Sequence, residues 1–260
     1  MYEVSGIAGR VTLITGGASG IGAGIAQVFA RAGANVIIGD LNLDAAHSVA
    51  ERLKGQGGSA SAVELDVTSR ASIDAAVTLI EGQHGFVDVL VNNAGISSVR
   101  PFREITEDDW DRLMLVNLKG VLLVTQRVLG PMVERKQGRI ISISSMAGKE
   151  GLANLAHYCA SKFGVIGLTQ SLAKEVAAEN ITVNAICPGV VRTPLWDDAQ
   201  MGILNELDGE NGWKRFVDGI PLGRPQSAID MGHACLFLAS ECAENITGEA
   251  MNVSGGQQVH

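Results

Sequence analysis

Residues 10–22 read Arg-Val-Thr-Leu-Ile-Thr-Gly-Gly-Ala-Ser-Gly-Ile-Gly. A short apolar run, Arg10–Thr15, ends in a glycine-rich turn, and a segment with helical spacing, Ile21–Arg31, follows at once. Run, turn and helix together predict the opening of a βα unit. Glycines at 16, 20 and 22 permit positive φ and let the backbone approach a pyrophosphate, which would rest on the free N–H groups of the helix start at Ser19, Gly20 and Ile21. Such a turn can also serve packing alone.

Outward from this unit, six further apolar runs recur: Asn35–Asp40, Ser61–Val67, Val87–Asn92, Arg139–Ser144, Thr182–Cys187 and Glu249–Val253. Segments with helical spacing lie between them, at Asp44–Lys54, Ser72–Gln83, Glu107–Arg135, Ala160–Ala178 and Ala228–Ala239. Strands alternating with helices predict an α/β fold, a parallel sheet covered on both faces. No repeat, low-complexity stretch or Pro-rich linker divides the chain, so residues 1–260 are expected to form one domain. The polar stretch 192–219, with Trp196 and Trp213, breaks the rhythm. A flap over a site is the expectation there, with a plain surface excursion as the alternative.

Composition narrows the function classes. Hydrophobic residues make up 46% and charged ones 18%, which excludes disorder. A net charge of −8 offers no cationic field for nucleic acid or anionic lipid. The first ten residues lack a signal-peptide pattern and no apolar run approaches 18 residues, so neither secretion nor a membrane span is expected. Cysteines 159, 187, 235 and 242 form no CxxC pair. They read as buried small hydrophobes in a reducing cytoplasm, and no metal site is expected.

Eighteen residues after Gly22, the second run ends in Asp40. A carboxylate there can accept both hydroxyls of an adenosine ribose and repel a 2′-phosphate, and Ser19 leaves no Arg or Lys beside the turn. This favours NAD over NADP; a strand-end cap is the other reading of Asp40. Asp66-Val67 closes the third run, where an acid could meet an adenine amino group. Asn92-Asn93-Ala94-Gly95 closes the fourth, as a ligand-facing turn or a simple one.

At the end of the fifth run stand Ser142, Ser144 and Ser145, where open α/β sheets bind ligands. Tyr158 comes thirteen residues after Ser145, and Lys162 four after that, on one helix face. Tyrosine ionises near about pH 10, and a neighbouring ammonium and an oxidised nicotinamide ring both favour the phenolate, so Tyr158 is expected to be lowered into range as a base for an alcohol proton. Ser145 can hold the substrate oxygen. The surrounding helix, with Ala160, Phe163, Val165 and Ile166, reads as a core helix. Asn117 falls on the stripe Trp110, Leu113, Asn117, Val121, Val124, the expected buried face of a long helix; it satisfies local backbone, links Lys162 to solvent through a water, or both. Ala147, Leu152, His157, Leu195 and Trp196 are the substrate-facing candidates, with His157 expected to bond backbone rather than substrate. No basic cluster accompanies them, so a neutral secondary alcohol or ketone fits best.

These residues resemble the short-chain dehydrogenase/reductase family across essentially the whole chain: TGGASGIG at 15–22, Asp66-Val67, NNAG at 92–95, Asn117, Ser145, YCASK at 158–162 and CPGVVRT at 187–193. The resemblance implies a doubly wound seven-stranded Rossmann sheet in the order 3-2-1-4-5-6-7. It also implies a tetrad of Asn117, Ser145, Tyr158 and Lys162, with cofactor contacts at Asn93, Ala94, Gly95, Pro188, Gly189, Val191 and Thr193, and Lys162 on the nicotinamide ribose. A homotetramer is the implied assembly, although Ser254 stands where the family often has an acidic residue before Gly255-Gly256. The leading expectation is an NAD-dependent alcohol or polyol dehydrogenase. A 3-oxoacyl-thioester reductase and a non-catalytic dinucleotide-sensing regulator are the alternatives.

Overall fold

The protein is described by a computed structural model over residues 6–193 and 212–260. Seven strands, β1 (Val11–Thr15), β2 (Asn35–Asp40), β3 (Ser59–Glu64), β4 (Val89–Asn92), β5 (Gly138–Ile143), β6 (Ile181–Pro188) and β7 (Ala250–Val253), form one sheet. Its order is β3-β2-β1-β4-β5-β6-β7, and every pair is parallel. From β1 the chain winds outward in one direction to β3 and then returns to build β4 to β7 on the other side. That reversal leaves a crevice at the carboxyl ends of β1 and β4.

Alternation along the strands explains the two cores. Ile14, Ile38, Val91 and Ile141 point to one face, where they are sealed by Ile25 and Phe29 of α1 (Gly20–Arg31) and by residues of α2 (Leu43–Gly55). Their sequence neighbours Leu13, Ile37, Leu90 and Ile140 point to the other face, against Ile73 and Val77 of α3 (Arg70–His84). Each such side chain contributes about 1.5–3 kcal/mol on burial. The remaining helices are α4 (Glu107–Met114), α5 (Gly120–Arg135), α6 (Ala156–Val176), α7 (Gly212–Asp218) and α8 (Ala228–Ala239).

Several boundaries depart from the sequence reading, each for a local reason. β3 spans Ser59–Glu64 rather than Ser61–Val67: Leu65 still donates to the Asp40 carbonyl, but Asp66 then turns the chain by accepting from the Thr68 N–H and hydroxyl at 2.8 and 2.7 Å. Asp66 and Val67 therefore lie in the loop beyond the strand. Helix α6 starts at Ala156, four residues before the expected Ala160, so Tyr158 lies within it. The expected single helix 107–135 is interrupted by a π turn, Leu115–Lys119, that carries Asn117.

Burial brings further corrections. Leu113, Asn117, Val121 and Val124 are buried as expected, whereas Trp110 is 42% exposed and Phe163 of α6 is 47% exposed. Of the four cysteines, Cys242 is exposed. The column Glu107–Arg135 is long and apolar enough to cross a membrane by length and composition, contrary to the run-length argument. Its apolar residues are accounted for by the core beneath the sheet, where Val124 and Val128 pack.

Candidate active site

One cavity of about 1000 Å³ runs along the carboxyl ends of β1, β2, β4, β5 and β6. At its nucleotide-facing end the backbone does most of the shaping. Gly16 and Gly20 adopt φ of +62° and +51°, which glycine alone takes without strain. A Cβ on Gly22 would collide with the Gly16 carbonyl oxygen, so this glycine keeps the turn closed from behind while Gly16, Ser19, Gly20 and Ile21 line the cavity. Asn93 pins the turn from below: its Nδ2 donates to the carbonyls of Thr15 and Gly16 at 3.0 and 2.8 Å. The Thr15 hydroxyl in turn accepts from the N–H groups of Asn93 and Ala94. Asn92 points the other way, donating to Thr125 and Ser142 in the core.

The start of α1, like that of α6, has no side-chain cap. Helices α2, α3, α4 and α8 are each capped by a side chain, from Asn42, Ser69, Thr106 and Ser227. Ser19 makes no such bond at the start of α1, and no acidic residue occupies its first turn. Open N–H groups facing a cavity suit an anionic group such as a pyrophosphate.

Asp40 closes β2 as a strand-end cap. Its oxygens accept from the N–H groups of Ala18 and Asn42 at 3.0 Å each, and the residue also lines the cavity. Two bonds leave a carboxylate with spare lone pairs for ligand hydroxyls. Around it a smaller depression is lined by Asp40, Leu41, Asn42, Leu43, Asp44 and Glu64, with no cation among them. Asp66, Val67, Ala94 and Gly95 form the adjoining wall.

The other end is built from side chains, of which Lys162 is buried and Ser145 and Tyr158 are half-buried. Ser145, Tyr158 and Lys162 all line the cavity. The Lys162 ammonium is fixed by the Ile143 carbonyl at 2.9 Å and stands 5.7 Å from the centre of the Tyr158 ring. Ser144 anchors α6 by donating to the Lys162 carbonyl. Asn117 is buried behind this group: its Oδ1 accepts from Ile96 N–H at 2.8 Å, and its Nδ2 donates to the Ile96 carbonyl and to Ser161. The backbone-satisfying role expected of Asn117 is thus observed. A Cβ placed on Gly95 would lie 3.3 Å from Asn117 Oδ1 and 3.7 Å from Lys162 Nζ, so both polar atoms converge on one small space.

Electrostatics here set the starting point for the chemistry. Burial pushes the Tyr158 phenol up to about 12, while a hydrogen bond with Ser145 works the other way. Burial also drives Lys162 down to about 8, with Cys187 pulling it back up. For the phenol, burial outweighs the acidifying hydrogen bond with Ser145.

Pro188, Gly189, Val191 and Thr193 border the same end, and Val191 pairs with Gln226 in a β-bridge. Among substrate-facing candidates, Ala147 and Leu152 line the cavity and pack with Leu155 and Val99. Leu195 and Trp196 lie outside the described residues. His157 is fully buried, lies outside the cavity lining, and leaves both ring nitrogens without a hydrogen bond, so the expected backbone bond is not made. Ser97, Arg112, Asn154, Phe216 and Gln257 also line the cavity and escaped the sequence reading. They sit in loops or on short helices whose spacing carries no periodic signal. Trp213 lies under the Arg192 guanidinium, 5.4 Å from its carbon.

A sheet switch point, a glycine turn with an open helix start and a Tyr/Lys/Ser group on one cavity agree with the match of residues 10–202 to the model of the short chain dehydrogenase family. The chain belongs to the short-chain dehydrogenase family. Among its relatives, the 3-oxoacyl-[acyl-carrier-protein] reductase FabG of Thermotoga maritima is 40% identical over 95% of this chain and 97% of its own length. The sorbitol dehydrogenase of Cereibacter sphaeroides is 39% identical over 95% and 97%. The crystal structure of a tryptophan variant of the actinorhodin polyketide ketoreductase with NADPH superposes with a TM-score of 0.93 at 35% identity, covering 96% of this chain and 98% of that one. The protein is thus an oxidoreductase of a family that works with nicotinamide cofactors.

Proposed function

We propose that the protein is an NAD-dependent oxidoreductase that exchanges hydride with a neutral secondary alcohol or ketone. The observation that carries this reading is the convergence of Ser145, Tyr158 and Lys162 on the cavity that the open start of α1 also faces. The uncapped N–H groups of α1 and the turn at Gly16 and Gly20 would hold the pyrophosphate, and Asp40 the adenosine ribose. Asp66, Val67, Asn93, Ala94 and Gly95 form the wall on that side, while Pro188, Gly189, Val191 and Thr193 border the nicotinamide and Lys162 its ribose. When bound, the oxidised cofactor supplies a hydride acceptor and a positive charge beside the phenol.

Each residue then has a distinct task. Ser145 holds the substrate oxygen by a hydrogen bond. Tyr158 takes the alcohol proton on its phenol oxygen, or returns it in the reverse direction. Lys162 stabilises the phenolate, and its own lowered pKa lets it pass a proton on. Asn117 fixes the Ile96 backbone and stands close enough to Lys162 across Gly95 for one water to bridge them to solvent. Ala147, Leu152 and, from α7, Phe216 shape the space beyond the carbinol.

NAD is preferred because the carboxylates of Asp40, Asp44 and Glu64 surround the place where a 2′-phosphate would have to lie. The FabG relative favours a second reading, reduction of a 3-oxoacyl thioester. A homotetramer in the cytoplasm is the assembly we propose; Leu122 on α5 and Phe163 on α6, exposed by 38% and 47%, leave an apolar face for a second copy. The test is a panel of secondary alcohols, polyols, hydroxysteroids and acyl thioesters with both nicotinamide cofactors, read by reduced-cofactor absorbance. Turnover of alcohols with NAD supports the first reading, and turnover confined to thioesters with NADPH replaces it with the second.

A further inference from the structure

Among the described residues, three non-glycine positions have positive φ: Lys136, Asn154 and Asn180. Two of them are explained by helix ends, because Lys136 closes α5 and Asn180 closes the 3₁₀ turn after α6 in the left-handed conformation. Asn154, at φ +62°, closes no helix. It lies in the loop between β5 and α6, just before Leu155, and it lines the cavity that contains Ser145 and Tyr158.

Its surroundings make the residue unusual. Val99, Leu152, Leu155 and Tyr158 pack into one apolar cluster beside it, so a polar amide interrupts an apolar wall. The backbone is held firmly, since the Asn154 carbonyl accepts from Arg100 N–H at 2.8 Å and Arg100 is paired with Asp109 on α4 at 3.1 Å. The side chain is exposed to the cavity and makes no hydrogen bond among the described residues. Strained backbone, a pinned main chain and an idle amide at the rim of a reaction pocket form a recognition arm rather than a packing element.

We infer that Asn154 is a specificity-determining residue that hydrogen-bonds a second hydroxyl of the substrate, selecting polyhydroxy alcohols over mono-alcohols. This rests on the alcohol-oxidising reading above. An amide offers both a donor pair and an acceptor, which matches a hydroxyl in either orientation. A plain hydrocarbon alcohol would leave the Asn154 amide facing apolar substrate without a partner, which is how a hydrogen-bonding pocket rejects an analogue lacking one hydroxyl.

The experiment compares matched secondary alcohols and vicinal diols, cyclohexanol against its diol for example, as the ratio of their kcat/KM values. Asn154→Gly removes the amide while relaxing the left-handed backbone, so a purely conformational role predicts an unchanged ratio and an unchanged or raised Tm. Recognition predicts that the diol preference of the native enzyme falls about tenfold in Asn154→Gly, about 1.4 kcal/mol, mainly through KM for the diol. Asn154→Asp, which tolerates the same φ and keeps an acceptor, should hold the ratio within about threefold. A native enzyme without diol preference, or a ratio unchanged in an active Asn154→Gly variant, overturns this inference alone. Failure of the native enzyme to oxidise any alcohol with either cofactor overturns the redox reading and this inference with it.

Discussion

The two ends of the cavity are made by opposite means. The nucleotide-facing end is mostly backbone: positive-φ glycines, an uncapped helix start and an Asn93 side chain spent on bracing carbonyls. The chemical end is mostly side chain: a half-buried phenol, a buried ammonium and an amide locked behind them. Backbone groups hold an anion without changing their own charge, whereas the phenol and ammonium must trade protons and so are sensitive to desolvation. The first end is complete as it stands. The second, with Tyr158 pushed up to about 12, needs added positive charge before it can work at neutral pH.

Substitutions can break this contrast one end at a time. The largest effect is expected for Tyr158→Phe, with kcat falling by about a hundred- to ten-thousand-fold while cofactor affinity, followed by fluorescence quenching, stays unchanged. Loss of both together would mean that the two ends are not separable. Gly22→Ala attacks the other end: its Cβ meets the Gly16 carbonyl, so overpacking should cost about 1–3 kcal/mol of stability and raise the cofactor KM. An unaltered Tm and KM would show that the turn has room to yield.

Asp40→Ala comes next in size. Removing a charged acceptor of ribose hydroxyls should narrow the preference for NAD over NADP by about ten- to a hundredfold, measured as a ratio of kcat/KM. A native preference for NADP would contradict the reading of the acidic surround. The smallest effect concerns His157, a neighbour of the chemical end that carries no charge chemistry of its own. Burial lowers its pKa below the ordinary 6.5, with Asp109 opposing and Arg100 adding to the shift. A depressed folded-state pKa means that stability is full above pH 6.5 and is lost as pH falls from there through the folded value. His157→Leu should therefore flatten the acid limb of a Tm-against-pH curve, and an unchanged limb would exclude His157 as its source.

The same contrast explains what could be read from the sequence. The β1 turn and α1 were legible because run, glycines and helix follow one another within 22 residues; alternation gave a parallel sheet, and its strand order came from the family resemblance. Tyr158, Lys162 and Ser145 were legible as a group because helical spacing and a strand end bring them together. The π turn at Asn117 was not, since the stripe Leu113, Asn117, Val121 and Val124 fits an uninterrupted helix equally well. The end of β3 was missed because Asp66 diverts its side chain to Thr68, a local bond that hydrophobic pattern does not register. Asn154 and Gln257 were invisible for a different reason: their role depends on where loops end up. The upward shift of Tyr158 was missed because the i, i+4 spacing shows the attraction to Lys162 and hides the burial that opposes it.

A Tyr2→Phe variant leaves Tyr158 as the sole tyrosine, so its ionisation can be followed directly by the tyrosinate ultraviolet band across a pH titration. Without cofactor no tyrosinate should appear until well above the ordinary value of about 10. With saturating NAD the band should emerge several pH units lower, toward neutrality. A titration that is the same with and without NAD would contradict the account of Tyr158 as a proton carrier made competent by the bound cofactor.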